Sequence, residues 1–198
     1  MTLPNQLTVL RIVLTPVFFF LFLSGKTLHI QISLLVFLIA ALTDWYDGWL
    51  ARKFNYITAW GKFWDPLADK ILTSVAFIAF VLVGLIPLWM VLIIVTRDLL
   101  ITTLRALADY KNIPISTSYY AKWKTFLQMS FLYYLLILYT AVKTPEIYLI
   151  SPESFDMLLN KEFIYIIMLL ITIITFHSGL MYIIQNRKLI GIIFRNET

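Results

Sequence analysis

Thr43-Asp44-Trp45-Tyr46-Asp47-Gly48-Trp49-Leu50-Ala51-Arg52 closes one long apolar run, and Gly61-Lys62-Phe63-Trp64-Asp65-Pro66-Leu67-Ala68-Asp69-Lys70 opens the next. Four carboxylates thus stand inside or at the ends of stretches otherwise suited to hydrocarbon. A charged side chain at a bilayer centre costs roughly 2.5–3.5 kcal/mol on insertion scales, so such residues face a polar cavity and serve function. Asp44 and Asp47 are three apart, and Gly48 and Ala51 continue the same helical face; Gly61, Asp65 and Asp69 repeat the pattern four apart. The basic loop at about 52–60 predicts two antiparallel neighbouring helices whose acidic faces meet at the cytoplasmic end of the bundle. Pro66 is expected in the first turn of its helix, where its missing N–H costs least.

Composition supports a membrane chain. Its 198 residues are 61% hydrophobic and only 14% charged, far from the balance of a soluble domain. Sixteen Lys and Arg against eleven Asp and Glu, net +5, suit an anionic membrane face and not nucleic acid. With Cys at 0, disulfide frameworks and thiolate metal sites are excluded. A spanning helix needs about 20 apolar residues. The apolar stretches fall at 7–23, 28–50, 64–84, 87–108, 122–142 and 162–185, with Gly84-Leu85-Ile86-Pro87 dividing one long run into two. None alternates strictly, which argues against a β-barrel. The expectation is a single all-α domain over residues 1–198 with about six transmembrane helices. The first stretch carries Arg11 and no cleavage motif, so it reads as a retained helix behind a short interfacial segment, Thr2–Asn5. Lys and Arg concentrate in the 51–62 and 109–124 loops and the C-terminal tail, which puts both termini in the cytoplasm. The 143–161 segment reads as an external loop.

Two carboxylates about 4 Å apart repel by roughly 4 kcal/mol at an effective dielectric of 20. Four therefore need protonation, solvation and salt bridges from Arg52, Lys53 and Lys70, or a bound cation. Oxygen-only donors suit hard divalent ions, Mg²⁺ or Mn²⁺, and a pair of such ions fits phosphoryl chemistry. Gly48, Ala51 and Gly61 leave room for a nucleotide or pyrophosphate to approach, and Arg52 can fork onto phosphate oxygens. A divalent-cation carrier would use the same carboxylates, but gives no reason for Gly48, Ala51, Arg52 and Gly61.

The spacing Asp44-x-x-Asp47-Gly48-x-x-Ala51-Arg52, eight residues, Gly61, three residues, Asp65, three residues, Asp69 resembles the signature of the CDP-alcohol phosphatidyltransferases at all eight fixed positions. Further stretches resemble the branch that makes phosphatidylglycerophosphate: Leu3-Pro4-Asn5-Gln6-Leu7-Thr8-Val9-Leu10-Arg11-Ile12, Asp65-Pro66-Leu67-Ala68-Asp69-Lys70, Thr96-Arg97-Asp98 with Leu104-Arg105, and Lys122-Trp123-Lys124-Thr125. Asp98 and Ala121 stand where that branch is expected to carry Glu and Gly. The resemblance implies a six-helix enzyme, usually a homodimer, in the inner membrane with a cytoplasm-facing cavity. It implies displacement of CMP from CDP-diacylglycerol by sn-glycerol 3-phosphate, or by another acceptor such as serine, inositol phosphate or phosphatidylglycerol. By the same resemblance Asp44, Asp47 and Asp65 would hold two Mg²⁺ or Mn²⁺ ions. Asp69 would be a metal neighbour and the general base, and Gly48, Ala51, Arg52 and Gly61 would form the CDP site.

An acceptor phosphate needs cations, and Arg97, Arg105 and Lys122 are the candidates. Arg97 has a second expectation, an intramembrane pair with Asp98 or Asp109. Lys122 and Lys124 also satisfy the positive-inside bias alone. His29 and His177 lack ligand-spaced partners and are expected to be structural.

Overall fold

A computed structural model describes residues 3–54, 59–111 and 119–194, with no strand among them. Its helices are α1 (Leu3–Leu23), α2 (Thr27–Phe54), α3 (Ala59–Leu82), α4 (Leu88–Tyr110), α5 (Tyr119–Val142), α6 (Pro145–Tyr148), α7 (Pro152–Leu158) and α8 (Lys161–Phe194). Two reversals rest on glycine. Gly25 and Gly84 have φ of 73° and 76°, and a Cβ at either would meet open space, so conformation and not crowding selects the residue. After Gly84 the Leu85 amide donates to the Phe80 carbonyl at 3.1 Å, and Pro87 caps α4 in an extended conformation, as the Gly84–Pro87 reading predicts.

Several local expectations change. α1 begins at Leu3, so the expected lead-in segment is largely helical, and α8 continues to Phe194 instead of stopping near 185. The 143–161 loop holds α6 and α7, each opened by a proline at its start. Pro66 lies two turns inside α3 and not in the first turn. The helix already runs from Ala59, with Gly61 in its first turn, and Pro66 removes one donor to the carbonyl four residues back. Among the described residues α1 packs along both α2 and α3.

α4 packs on α3 and α8, and α5 closes the bundle against α2, α3 and α8. The end holding the C-terminus of α1 is filled with aromatic rings. Phe22 meets Phe80 at 5.1 Å and Tyr139 at 5.0 Å between centroids, and Phe18 meets Phe37 at 5.3 Å. Buried hydroxyls on the helices bond their own backbone: Thr15 to the Arg11 carbonyl, Ser33 to Ile30, Thr140 to Leu136 and Thr172 to Met168. The outer face is apolar, with Phe20 71% and Leu35 58% exposed, as expected of a surface that meets lipid. Three segments among the described residues, Gln6–Leu23, Tyr119–Val142 and Pro152–Arg187, are long and apolar enough to cross a membrane by themselves. The chain is an all-helical membrane protein.

Phe22 is buried and Phe20 faces outward, one turn or less apart on α1. Phe22→Ala should cost about 3–5 kcal/mol, seen as a large fall in the thermal midpoint in detergent. Phe20→Ala should leave that midpoint nearly unchanged.

Candidate functional site

α3 carries Asp65 and Asp69 one helical turn apart, so both project from one side of the helix. Asp65 is half-buried where α3 meets α1, and the fully buried Thr8 hydroxyl of α1 donates to its carboxylate Oδ1. Arg11, three residues further along α1 and also fully buried, adds an attractive positive charge to Asp65. Asp69 keeps 31% of its side chain exposed and has the Lys70 ammonium at 3.6 Å. The next turn is closed by the Thr73 hydroxyl on the Asp69 and Lys70 carbonyls, each at 3.2 Å.

Asp44, Asp47, Gly48, Ala51 and Arg52 lie in the last turns of α2, and Gly61 in the first turn of α3. Their side chains fall outside the described residues, and so does the expected meeting of the two acidic faces.

The cationic candidates separate. Arg97 and Arg105 both face α8 from α4. Arg97 donates from Nη2 to Ser178 Oγ at 2.9 Å and from Nη1 to Asp98 at 3.1 Å. Gly179 makes room for it, since a Cβ there would lie 2.8 Å from Arg97 Cγ. Arg105 sits over the Tyr182 ring at 5.9 Å, one turn beyond Ser178. The Arg105 Nε and the buried Tyr182 hydroxyl have no hydrogen-bond partner. Lys122 is exposed beside the Tyr119 ring at 5.2 Å and does not join the two arginines.

Lys124 is the buried lysine of this segment, at 1% exposure. It donates to Asp98 Oδ1, while Gln128 Nε2 donates to Oδ2 at 3.1 Å. Asp98 is therefore held by two cations and an amide, and the Lys70 charge reaches it from α3. The expectation of an Arg97–Asp98 pair is met. Sequence reasoning does not single out Lys124, Gln128, Ser178, Tyr182 or Thr8 as partners. A signal exists for the first two, because Lys124, Gln128 and Leu132 share one face that is otherwise apolar.

Between α5 and α8 a recess of about 370 Å³ is lined by Tyr120, His177, Ser178, Tyr182, Gln185 and Asn186. His177 Nδ1 and the Tyr120 hydroxyl are 3.2 Å apart and bridge its mouth, which gives this histidine the structural contact expected of it. On the other side of α8, an apolar groove of about 350 Å³ runs along α4, with Arg97 in its wall.

Removing one partner of a buried ion pair strands the other in low dielectric. Asp98→Ala should cost about 3–5 kcal/mol, read as a loss of thermal stability in detergent. The double change Asp98→Leu with Lys124→Leu should lose less than Asp98→Ala alone.

Comparison with known proteins places the chain in a family. Three relatives bear the name CDP-diacylglycerol–glycerol-3-phosphate 3-phosphatidyltransferase. The Bacillus subtilis (strain 168) protein is 39% identical over 140 residues, covering 64% of this chain and 72% of the relative. That of Rickettsia typhi is 38% identical over 127 residues, covering 64% and 71%. That of Mycoplasma pneumoniae is 37% identical over 145 residues, covering 64% of each. The family described as CDP-alcohol phosphatidyltransferase matches residues 1–182, from the first helix well into the last. A match of that extent makes the chain a member of the CDP-alcohol phosphatidyltransferase family.

Proposed function

We propose that the protein transfers the phosphatidyl group of CDP-diacylglycerol to sn-glycerol 3-phosphate, releasing CMP and forming phosphatidylglycerophosphate. The observation that carries this reading is the shared name of the relatives, which are 34–39% identical and come from several bacteria. The residues support it: the signature positions are complete, and Asp65 and Asp69 stand together on α3.

The donor set fits Mg²⁺ or Mn²⁺. It offers only carboxylate oxygens, and Asp65 is already oriented by a hydroxyl donor. Asp44, Asp47, Asp65 and Asp69 would hold two such ions, which when bound supply charge neutralisation for the pyrophosphate. Gly48, Ala51, Arg52 and Gly61 form the CDP site in this reading. Asp69, partly exposed, takes the proton from the acceptor hydroxyl as that oxygen attacks the phosphatidyl phosphorus. The attack breaks the bond from that phosphorus to the CMP oxygen, and no covalent enzyme intermediate is needed.

Arg105 is the strongest candidate for the acceptor phosphate, because its buried Nε still lacks a hydrogen-bond partner. Arg97, committed to Asp98 and Ser178, acts more through charge than through a free donor. Lys122 attracts the anion from the surface. The same reading places six spans and a cytoplasm-facing site in the inner membrane, with both termini inside and two copies forming a homodimer.

Purified protein given CDP-diacylglycerol, Mg²⁺ and glycerol 3-phosphate should release CMP. No turnover on this acceptor, with turnover on serine, inositol phosphate or phosphatidylglycerol, would overturn the acceptor assignment. Asp69→Asn should lower kcat by about 10²- to 10⁴-fold while CDP-diacylglycerol still binds. Arg105→Ala should raise the KM for glycerol 3-phosphate by about 10- to 100-fold, the loss of a charge-assisted hydrogen bond.

A further inference from the structure

Buried hydroxyls in this bundle mostly serve their own helix. Thr15, Thr140 and Thr172 each donate to the carbonyl four residues back, and Ser33 to the one three back. Such bonds satisfy the hydroxyl locally and ask nothing of a neighbour. Thr8 also reaches a neighbouring helix. It is 0% exposed, and its hydroxyl crosses the α1–α3 contact to the carboxylate of Asp65, 57 residues away in the chain. Arg11, also 0% exposed, brings its positive charge to the same carboxylate from the next turn of α1. The α1 helix therefore contacts the candidate metal site chemically as well as by packing.

We infer that Thr8 is a positioning residue, its hydroxyl fixing the direction in which the Asp65 carboxylate presents its oxygens to a divalent cation. The inference rests on Asp65 being a metal ligand, as proposed above. A carboxylate on a helix has two free side-chain torsions, and a donor on one oxygen selects one orientation before any ion arrives. Outer partners of this kind hold ligands in place, and their loss weakens metal affinity by about 10- to 100-fold. Thr8 is not a catalytic residue here, since it acts through Asp65.

The test is Mn²⁺ binding to the full-length protein in detergent without substrate, followed by the loss of the free-ion electron paramagnetic resonance signal. Thr8→Val keeps the branched shape and removes the hydroxyl, and Thr8→Ser keeps the hydroxyl. Thr8→Val should bind Mn²⁺ about 10-fold or more weakly, with a metal-free thermal midpoint close to that of the parent. Thr8→Ser should return the affinity to within about two-fold of the parent. Should the valine variant fail to fold, Thr8→Ala takes its place under the same criteria. Parent-like Mn²⁺ affinity in the hydroxyl-free variant would overturn the inference, as would a serine variant that restores nothing. Asp65→Asn separates the two levels. If it too binds Mn²⁺ like the parent, the metal assignment of Asp65 fails; if it alone weakens binding, only the role of Thr8 fails.

Discussion

An ion withdrawn from water inside a helical bundle is tolerated only where the fold brings it a counter-charge. Asp98, 3% exposed, meets that constraint with Lys124 and Gln128 from α5 and with Arg97 beside it on α4. Arg97 continues the chain to Ser178 on α8. One carboxylate thus registers three helices against each other, in directions that apolar packing alone leaves loose. Gly179 belongs to the same device, because any larger residue would press on the arginine stem. Lys70 extends the field to α3, so the carboxylates at 65 and 69 sit on a helix whose placement the network also biases.

The bundle divides by chemistry along its length. One half is closed by interlocked rings of Phe18, Phe22, Phe37, Phe80 and Tyr139, whose contacts with one another are made by apolar ring faces and edges. The other half gathers Thr8, Arg11, Asp65, Asp98 and Lys124, whose polar atoms demand specific neighbours. Rigid packing in the first half lets the second hold charged groups at defined positions, where binding and proton transfer need a scaffold that does not rearrange.

How much of this was legible in the sequence depended on range. Gly84 and Pro87 act through their own backbone torsions, and the break between α3 and α4 falls where they stand. The pairing of Asp65 with Asp69 was legible because a helix turns an interval of four into one side. α6 and α7 were not, since 4 and 7 residues are too few to show a period. Pro66 stands deeper in α3 than expected, because a proline's ease in a first turn does not say how far the helix extends ahead of it. The packing of α1 along both α2 and α3 is a matter of helix order in space, on which an apolar run is silent. The role of Thr8 is not legible in the sequence, because a hydroxyl's partner 57 residues away leaves no periodic trace. Lys122 and Lys124 differ in the face they share: the lysine that looks inward is Lys124, aligned with Gln128 and the other inward residues.

The last helix has a consequence of its own. At 34 residues α8 runs about 51 Å, far beyond the roughly 30 Å depth of hydrocarbon it has to cross. Its surplus turns, which include Arg187, must therefore stand clear of the oily layer or lean through it. The contacts of Ser178 and Tyr182 with Arg97 and Arg105 tie the crossing part of this helix to α4, so a tilt that absorbs the extra length is felt at those two arginines.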